Sequence, residues 1–192
     1  MGKEDNSINI ASEGFLGEVL KGYGISVEKW GKGEAKTVGH LFRELEEGDC
    51  VLVEIPEGEL RREVVFVSGD VYYQSPEALY YLREEKQVFK DGRERRRAWM
   101  KTSVGEKVKP EESAEETRRR VFEEELGIKG SVSIEESQIK QRSGVSFSYP
   151  GLWTEYEVYP FKAFLTKEQY RPEGYIEEQE DKTTYWVWGK IE

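Results

Sequence analysis

The chain has 192 residues, of which 36% are hydrophobic, 12% aromatic and 35% charged, and its formal net charge is −10. That length suffices for one sizeable core or for a core domain with a small appended part, and the acid excess argues against broad affinity for nucleic acid or anionic membrane. With one cysteine, Cys50, and one histidine, His40, an intrachain disulfide framework and a zinc site of Cys/His clusters are both excluded.

The opening MGKEDNSINIASEGF has no apolar leader, and no long apolar run follows, so a cytoplasmic protein without a membrane partner is expected. Asn6 stands where a myristoylation signal needs Ser or Thr. Residues 1–12 read as polar and frayed. Phe15, Leu16, Val19 and Leu20 fit a short amphipathic helix ended by Gly22 and Gly24, and Val38, Leu41, Phe42 and Leu45 fit a second over 37–46. Residues 50–55 and 62–73 are β-rich and joined by PEGE, which predicts a hairpin. Ser75 and Pro76 form an N-cap and N1 pair for a helix through about Val88, followed by an Asp91-Gly92 turn. Residues 95–108 read as extended, 112–126 as the strongest helix, and 131–134, 156–165 and 183–188 as strands. Arg171–Asp181 is the one linker-like stretch of the second half.

Within 112–126, Ala114, Val121, Phe122 and Leu126 fall in one arc at about 100° per residue, and that arc should face the core. Glu125 projects into the same arc. A carboxylate there is costly unless a cation or metal answers it, and Arg118 is the nearest protein cation that could. Glu116, Arg120 and Glu124 follow at i, i+4 spacing, so Arg120 can bridge carboxylates.

The stretch EKVKPEESAEETRRRVFEEELGI (106–128) resembles the Nudix box, G-x5-E-x7-R-E-U-x-E-E-x-G-U, where U is apolar. Anchored on Glu124, Glu125, Gly127 and Ile128, the pattern places Glu112 on its first glutamate, Arg120 on its arginine and Phe122 on its apolar position. The resemblance implies a Nudix-like α/β/α sandwich around a mixed sheet, an α/β (α+β) fold, over 75–192, with residues 1–74 as an N-terminal α+β extension. It also implies hydrolysis of a nucleoside-diphosphate-linked substrate with Mg2+ or Mn2+, because hard cations take oxygen ligands and a diphosphate must be neutralised. On this chain Glu124 and Glu125 would be the catalytic metal ligands, and Arg120, also catalytic, would form with Glu112 the electrostatic brace that orients them.

Two positions depart from the pattern. Its first glycine is Glu106, with Gly105 one residue earlier, and the glutamate expected after Arg120 is Val121. Valine cannot coordinate a cation, so the resemblance leaves two readings: an impaired hydrolase, or an inactive Nudix-like module that binds a nucleotide or protein partner. Glu155 and Glu157 on one strand face, and the EEQED run 177–181 in a loop, are acids that could fill the gap. Each reads more simply as solvated surface.

Arginines suit bidentate phosphate contacts, which makes Arg97 of the 93–97 cluster a candidate substrate-binding residue, although the cluster also fits plain pairing with surrounding acid. Trp153 is the candidate for stacking on a nucleobase. His40 and Cys50 read as structural. The N-terminal extension could recognise substrate or mediate homodimerisation, and the sequence leaves both open.

Overall fold

The computed structural model describes residues 7–97 and 102–191, so the opening six residues and positions 98–101 of the expected extended run lie outside the described residues. The described residues are α+β, with three helices and a mixed sheet, and they divide into two compact units.

The first unit comprises the chain to Val65 with residues 107–111 and 140–158. Residues 7–12 are ordered rather than frayed, because Ser7 bridges Val53 and the Ile8 N–H donates to Leu52 O at 2.8 Å. Helix α1 (Glu13–Gly22) starts where Ser12 Oγ accepts from Phe15 N, and it buries Leu16 and Leu20 one turn apart. Helix α2 (Val38–Glu46) is capped by Thr37, whose own N–H donates to His40 Nδ1 at 3.2 Å. His40 is therefore a capping residue. Gly48 ends this segment at φ +72, and any Cβ there would meet the Pro110 ring at 2.3 Å.

Strand β1 (Val51–Glu54) pairs antiparallel with the start of β2 (Leu60–Gln74) in the expected hairpin, Val51 opposite Glu63 and Glu54 opposite Leu60. Leu52, Leu60, Val64, Tyr149 and Leu152 form one core with α1 and α2. Tyr149 and Leu152 lie in the turn between the paired segments 140–145 and 153–158, and Trp30 Nε1 donates to Pro150 O at 2.9 Å across it. Inside this apolar shell lies Glu44, 6% exposed. It is met by Arg62 Nη2 at 2.5 Å, Lys36 Nζ at 2.6 Å and Lys107 Nζ at 3.2 Å. Burial alone would raise its carboxyl, but Arg62, then Lys36 and Lys107, outweigh it and hold the group down at about 2.

The second unit holds 66–106, 112–139 and 159–191 of the described chain. Its sheet takes in the second half of β2, β3 (Leu79–Phe89), β4 (Glu94–Arg95), β5 (Val104–Lys107), β6 (Ser133–Glu136), the second half of β8 (Trp153–Phe164), β9 (Tyr175–Glu178) and β10 (Lys182–Ile191). The strand order is β6-β8-β2-β3-β10-β9, with β4 on β3 and β5 on β2. Leu165 N donates to Tyr72 O, while Phe161 packs over Gly69, so positions on β8 and β2 rise together and this pair is parallel. The other registered pairs are antiparallel. Helix α3 (Ala114–Leu126) is the helix of this unit.

The helix expected over 76–88 is strand β3. Ser75 does use its capping chemistry, but on a turn: its Oγ accepts from Ala78 N at 3.0 Å and its N–H donates to Ala78 O. Beyond that turn, Tyr80, Tyr81, Leu82, Val88 and Phe89 favour a pleated surface, and β3 pairs with Tyr72–Gln74 on one side and with β10 along its length on the other. A register shift at Tyr185/Trp186 breaks the period-2 alternation that would have marked β3 as a strand. The linker-like 171–181 contains β9, whose Tyr175 is 1% exposed. Strand β7 (Lys140–Val145), antiparallel to the first half of β8 in the first unit, was not anticipated, since its polar KQRSGV carries no alternating apolar signal.

Two stability outcomes follow. Glu44→Gln would leave Arg62 buried without its counter-charge and should cost about 3–5 kcal/mol in urea unfolding. Its carboxyl is depressed, so its contribution is full above the unfolded value of 4.5 and is lost as pH falls through about 2; the deficit of the variant should shrink over that window. Gly174 sits at φ +86 with Trp186 O 1.9 Å from where a Cβ would stand. Gly174→Ala should therefore destabilise by about 1–3 kcal/mol, and an unchanged urea midpoint would contradict that packing.

Candidate active site

Helix α3 begins because Ser113 and Glu116 form a reciprocal cap: Ser113 Oγ accepts from Glu116 N, and Glu116 Oε2 accepts from Ser113 N at 2.8 Å. It ends because Gly127 adopts a left-handed φ of 61. Its buried face carries Thr117, Val121, Phe122 and Leu126, and Phe122 meets Phe161 edge-on at 6.0 Å. Arg118 is also buried, but it pairs with Glu136 and stacks over Phe161, so it is not the partner of Glu125.

Arg120 is the organising cation of the helix. Its Nε and Nη2 donate to the two oxygens of Glu112, each at 2.9 Å, and its Nη1 reaches Glu124 Oε2 at 3.5 Å. Thr117 Oγ1 donates to Glu112 Oε2 at 2.9 Å from the same side. Glu116, expected to share Arg120, is occupied with the cap instead.

Glu125 is half-buried beside this brace. Burial, then the carboxylates of Glu177 and Glu106, push its carboxyl well above the usual range, opposed by the Gly105 N–H and the Arg97 guanidinium. Glu177 on β9 is also raised, first by burial and further by Glu106 and Glu124, against a hydrogen bond from Gln179 and the charge of Lys182. Four carboxylates from three elements thus share one field: Glu106 of β5, Glu124 and Glu125 of α3, and Glu177 of β9.

Of the acids considered as replacements for the missing ligand, Glu177 is the one in this field, and it stands on a strand rather than in the expected loop. Glu155 and Glu157 belong to the first unit, where Arg61 Nη1 meets Glu155 at 2.6 Å and Gln141 donates to Glu157 at 3.0 Å. Trp153 also lies in the first unit, 41% exposed and paired across strands with Val145. Arg97 lies in the second unit and is tied to Glu84 through Nε at 2.9 Å and through Nη2. Val121 is 1% exposed and belongs to the core.

Glu106 escaped notice because the motif made it a departure from glycine rather than a charge. No feature of the sequence signalled Glu84, since the segment carrying it read as a helix. The carboxylates are of the donor type that Mg2+ or Mn2+ takes. Among the described residues, however, no three His, Cys, Asp or Glu side chains are gathered closely enough to enclose a metal. Also among them, no helix is long and apolar enough to cross a membrane.

A carboxyl raised in the native state lends stability below its unfolded value of 4.5 and withdraws it as pH rises through the native value. Glu125→Gln should therefore unfold at a higher temperature than the wild type at about pH 8, with the gain fading towards pH 4. A lower midpoint for the variant at the higher pH would contradict the crowding.

No protein-family model matches the sequence, and no curated protein matches it. Among solved structures, the chain is similar to the crystal structure of C. elegans Ap4A hydrolase, at 15% identity and a TM-score of 0.37 over 66% of this chain and 80% of that one. A binary complex of C. elegans Ap4A hydrolase is similar at 13% identity and a TM-score of 0.36, over 67% and 80%. DR0079 from Deinococcus radiodurans is similar at 19% identity and a TM-score of 0.35, over 65% of this chain and 66% of that one. The chain is thus similar in structure, at low sequence identity, to an Ap4A hydrolase and to this Deinococcus protein.

Proposed function

We propose that the second unit is a Nudix-like pyrophosphohydrolase domain acting on a nucleotide-type diphosphate with Mg2+ or Mn2+. The observation that carries this reading is the two-bond fork between Arg120 and Glu112, with Glu124 on the third nitrogen. That contact gives the fixed charges of the 106–128 motif a shared geometric purpose, which an arbitrary charged helix would lack.

A divalent cation, when bound, would neutralise the diphosphate and activate a water for attack at phosphorus. Glu124 and Glu125 are its proposed ligands on α3, and Glu106 and Glu177 are the acids that supply the charge which Val121 cannot. Arg120 orients Glu124 while Glu112 holds Arg120. The Gly105 N–H steadies the Glu125 carboxylate against its acidic neighbours. Arg97 is the proposed contact to the diphosphate.

The buried Val121 favours a second reading, a Nudix-like module that binds nucleotide without cleaving it. Purified protein incubated with dinucleoside polyphosphates and nucleoside-diphosphate sugars, in magnesium and then in manganese, separates the two. Release of nucleoside monophosphate should fall at least about a hundredfold in Glu125→Gln. It should fall about tenfold in Glu112→Gln, which loosens the brace while leaving the ligands in place. Nucleotide binding with no turnover in either metal would sink the hydrolase reading and leave the binding module.

A further inference from the structure

Beside the carboxylate cluster lies a second polar assembly that the hydrolase reading does not use. Glu84 and Gln87 stand on β3 with 3% of the Glu84 side chain and 3% of Gln87 exposed. Arg97 Nε donates to Glu84 Oε1 at 2.9 Å, and its Nη2 donates to Oε2. Gln87 Nε2 donates to Glu84 Oε2 at 3.1 Å, while Gln87 Oε1 accepts from Arg95 Nε at 3.0 Å and Arg95 Nη2 at 2.5 Å. Two buried acceptors on one strand therefore hold two arginines, Arg95 of β4 and Arg97 just beyond it.

Such a pair is a poor investment for stability alone, because a desolvated carboxylate with one cation often does no better than an apolar pair of similar volume. It does fix direction. A guanidinium carries five N–H donors in a rigid fork. Glu84 takes the Nε–Nη2 edge, and no described residue is bonded to Nη1. The charge of Arg97 also reaches Glu125, so this cation stands within the field of the carboxylate cluster. Untethered near Glu125, an arginine could fold onto it and be lost to a phosphate. A buried acid gripping the Nε–Nη2 edge holds the guanidinium against that collapse.

Resting on the hydrolase reading above, we propose that Glu84 is a positioning residue that holds the Arg97 guanidinium ready to grip the substrate's diphosphate. Gln87 completes the anchor by supporting Glu84 and carrying Arg95.

The test is calorimetric titration of the full chain with methylenediphosphonate, a diphosphate analogue whose bridging carbon resists hydrolysis, at fixed magnesium. Glu84→Gln and Arg97→Lys should each weaken binding about tenfold, and the double variant should bind no more weakly than either, because the two residues act as one unit. For a nucleotide diphosphate that the wild type cleaves, both variants should raise KM about tenfold with kcat little changed. A merely structural pair would lower the thermal midpoint and leave the affinity of the folded protein untouched, which would overturn the proposal; tighter binding in Glu84→Gln would overturn it as well. Should Glu84→Gln fail to fold, Arg97→Lys decides alone, and unchanged affinity there is fatal. Wild-type protein that binds no diphosphonate in magnesium would overturn this inference and the hydrolase reading together. Wild-type binding with both variants unaffected would overturn the inference only.

Discussion

Arg120 lies in the middle of α3, and its guanidinium is bound along one edge to Glu112, eight residues earlier. Parallel N–H···O bonds between a planar guanidinium and a carboxylate fix both distance and orientation. The loop before the helix is thereby tied to the helix body rather than to its first turn alone. Two further contacts converge on the pair. Thr117 reaches the same carboxylate, and Glu124 meets the nitrogen that Glu112 leaves. Were Glu112 absent, Arg120 would be a long, mobile side chain among acids, free to pair with any of them.

The acids are there at a cost. Four glutamates in one field raise the carboxyls of Glu125 and Glu177 instead of stabilising the fold, and the described cations answer them only in part. Elsewhere in this chain the folding logic is the opposite. Glu44 has Arg62, Lys36 and Lys107 around it, and Glu84 has Arg97 with Gln87 beside it. One chain thus holds both arrangements: paired acids that settle the fold, and a crowded group whose carboxyls burial and like charge push up. Val121, in the core, leaves the helix one carboxylate fewer than the motif has.

Helices were legible where local chemistry decided them. Ser12, Thr37 and Ser113 cap the three helices, the second and third of which were expected from 37 and 112, and Gly127 stops α3 in the left-handed region. The β1–β2 hairpin was legible for the same reason, since its turn and its alternation lie close together in the chain. Strand β3 was not. Its Ser-Pro opening is sound capping chemistry, and only pairing with β10, about a hundred positions away, turns that segment into a central strand. Strand β7 was invisible because a polar strand draws its order from its neighbour and not from its own side chains.

The candidate site divides along the same line. By itself, the sequence determined the helix, its cap, its stop and the spacing that sets Glu112, Arg120, Glu124 and Glu125 in relation, because all of these are matters of helical period over a short span. It also determined the absence of a carboxylate at 121. Only the tertiary structure decided that Glu106 and Glu177 join the cluster, that Arg118 is spent on Glu136, and that Arg97 is gripped by a buried Glu84. Those relations join residues of different elements rather than positions within one helical or strand period. Electrostatic fields and buried hydrogen bonds depend on distance in space, which no local pattern encodes.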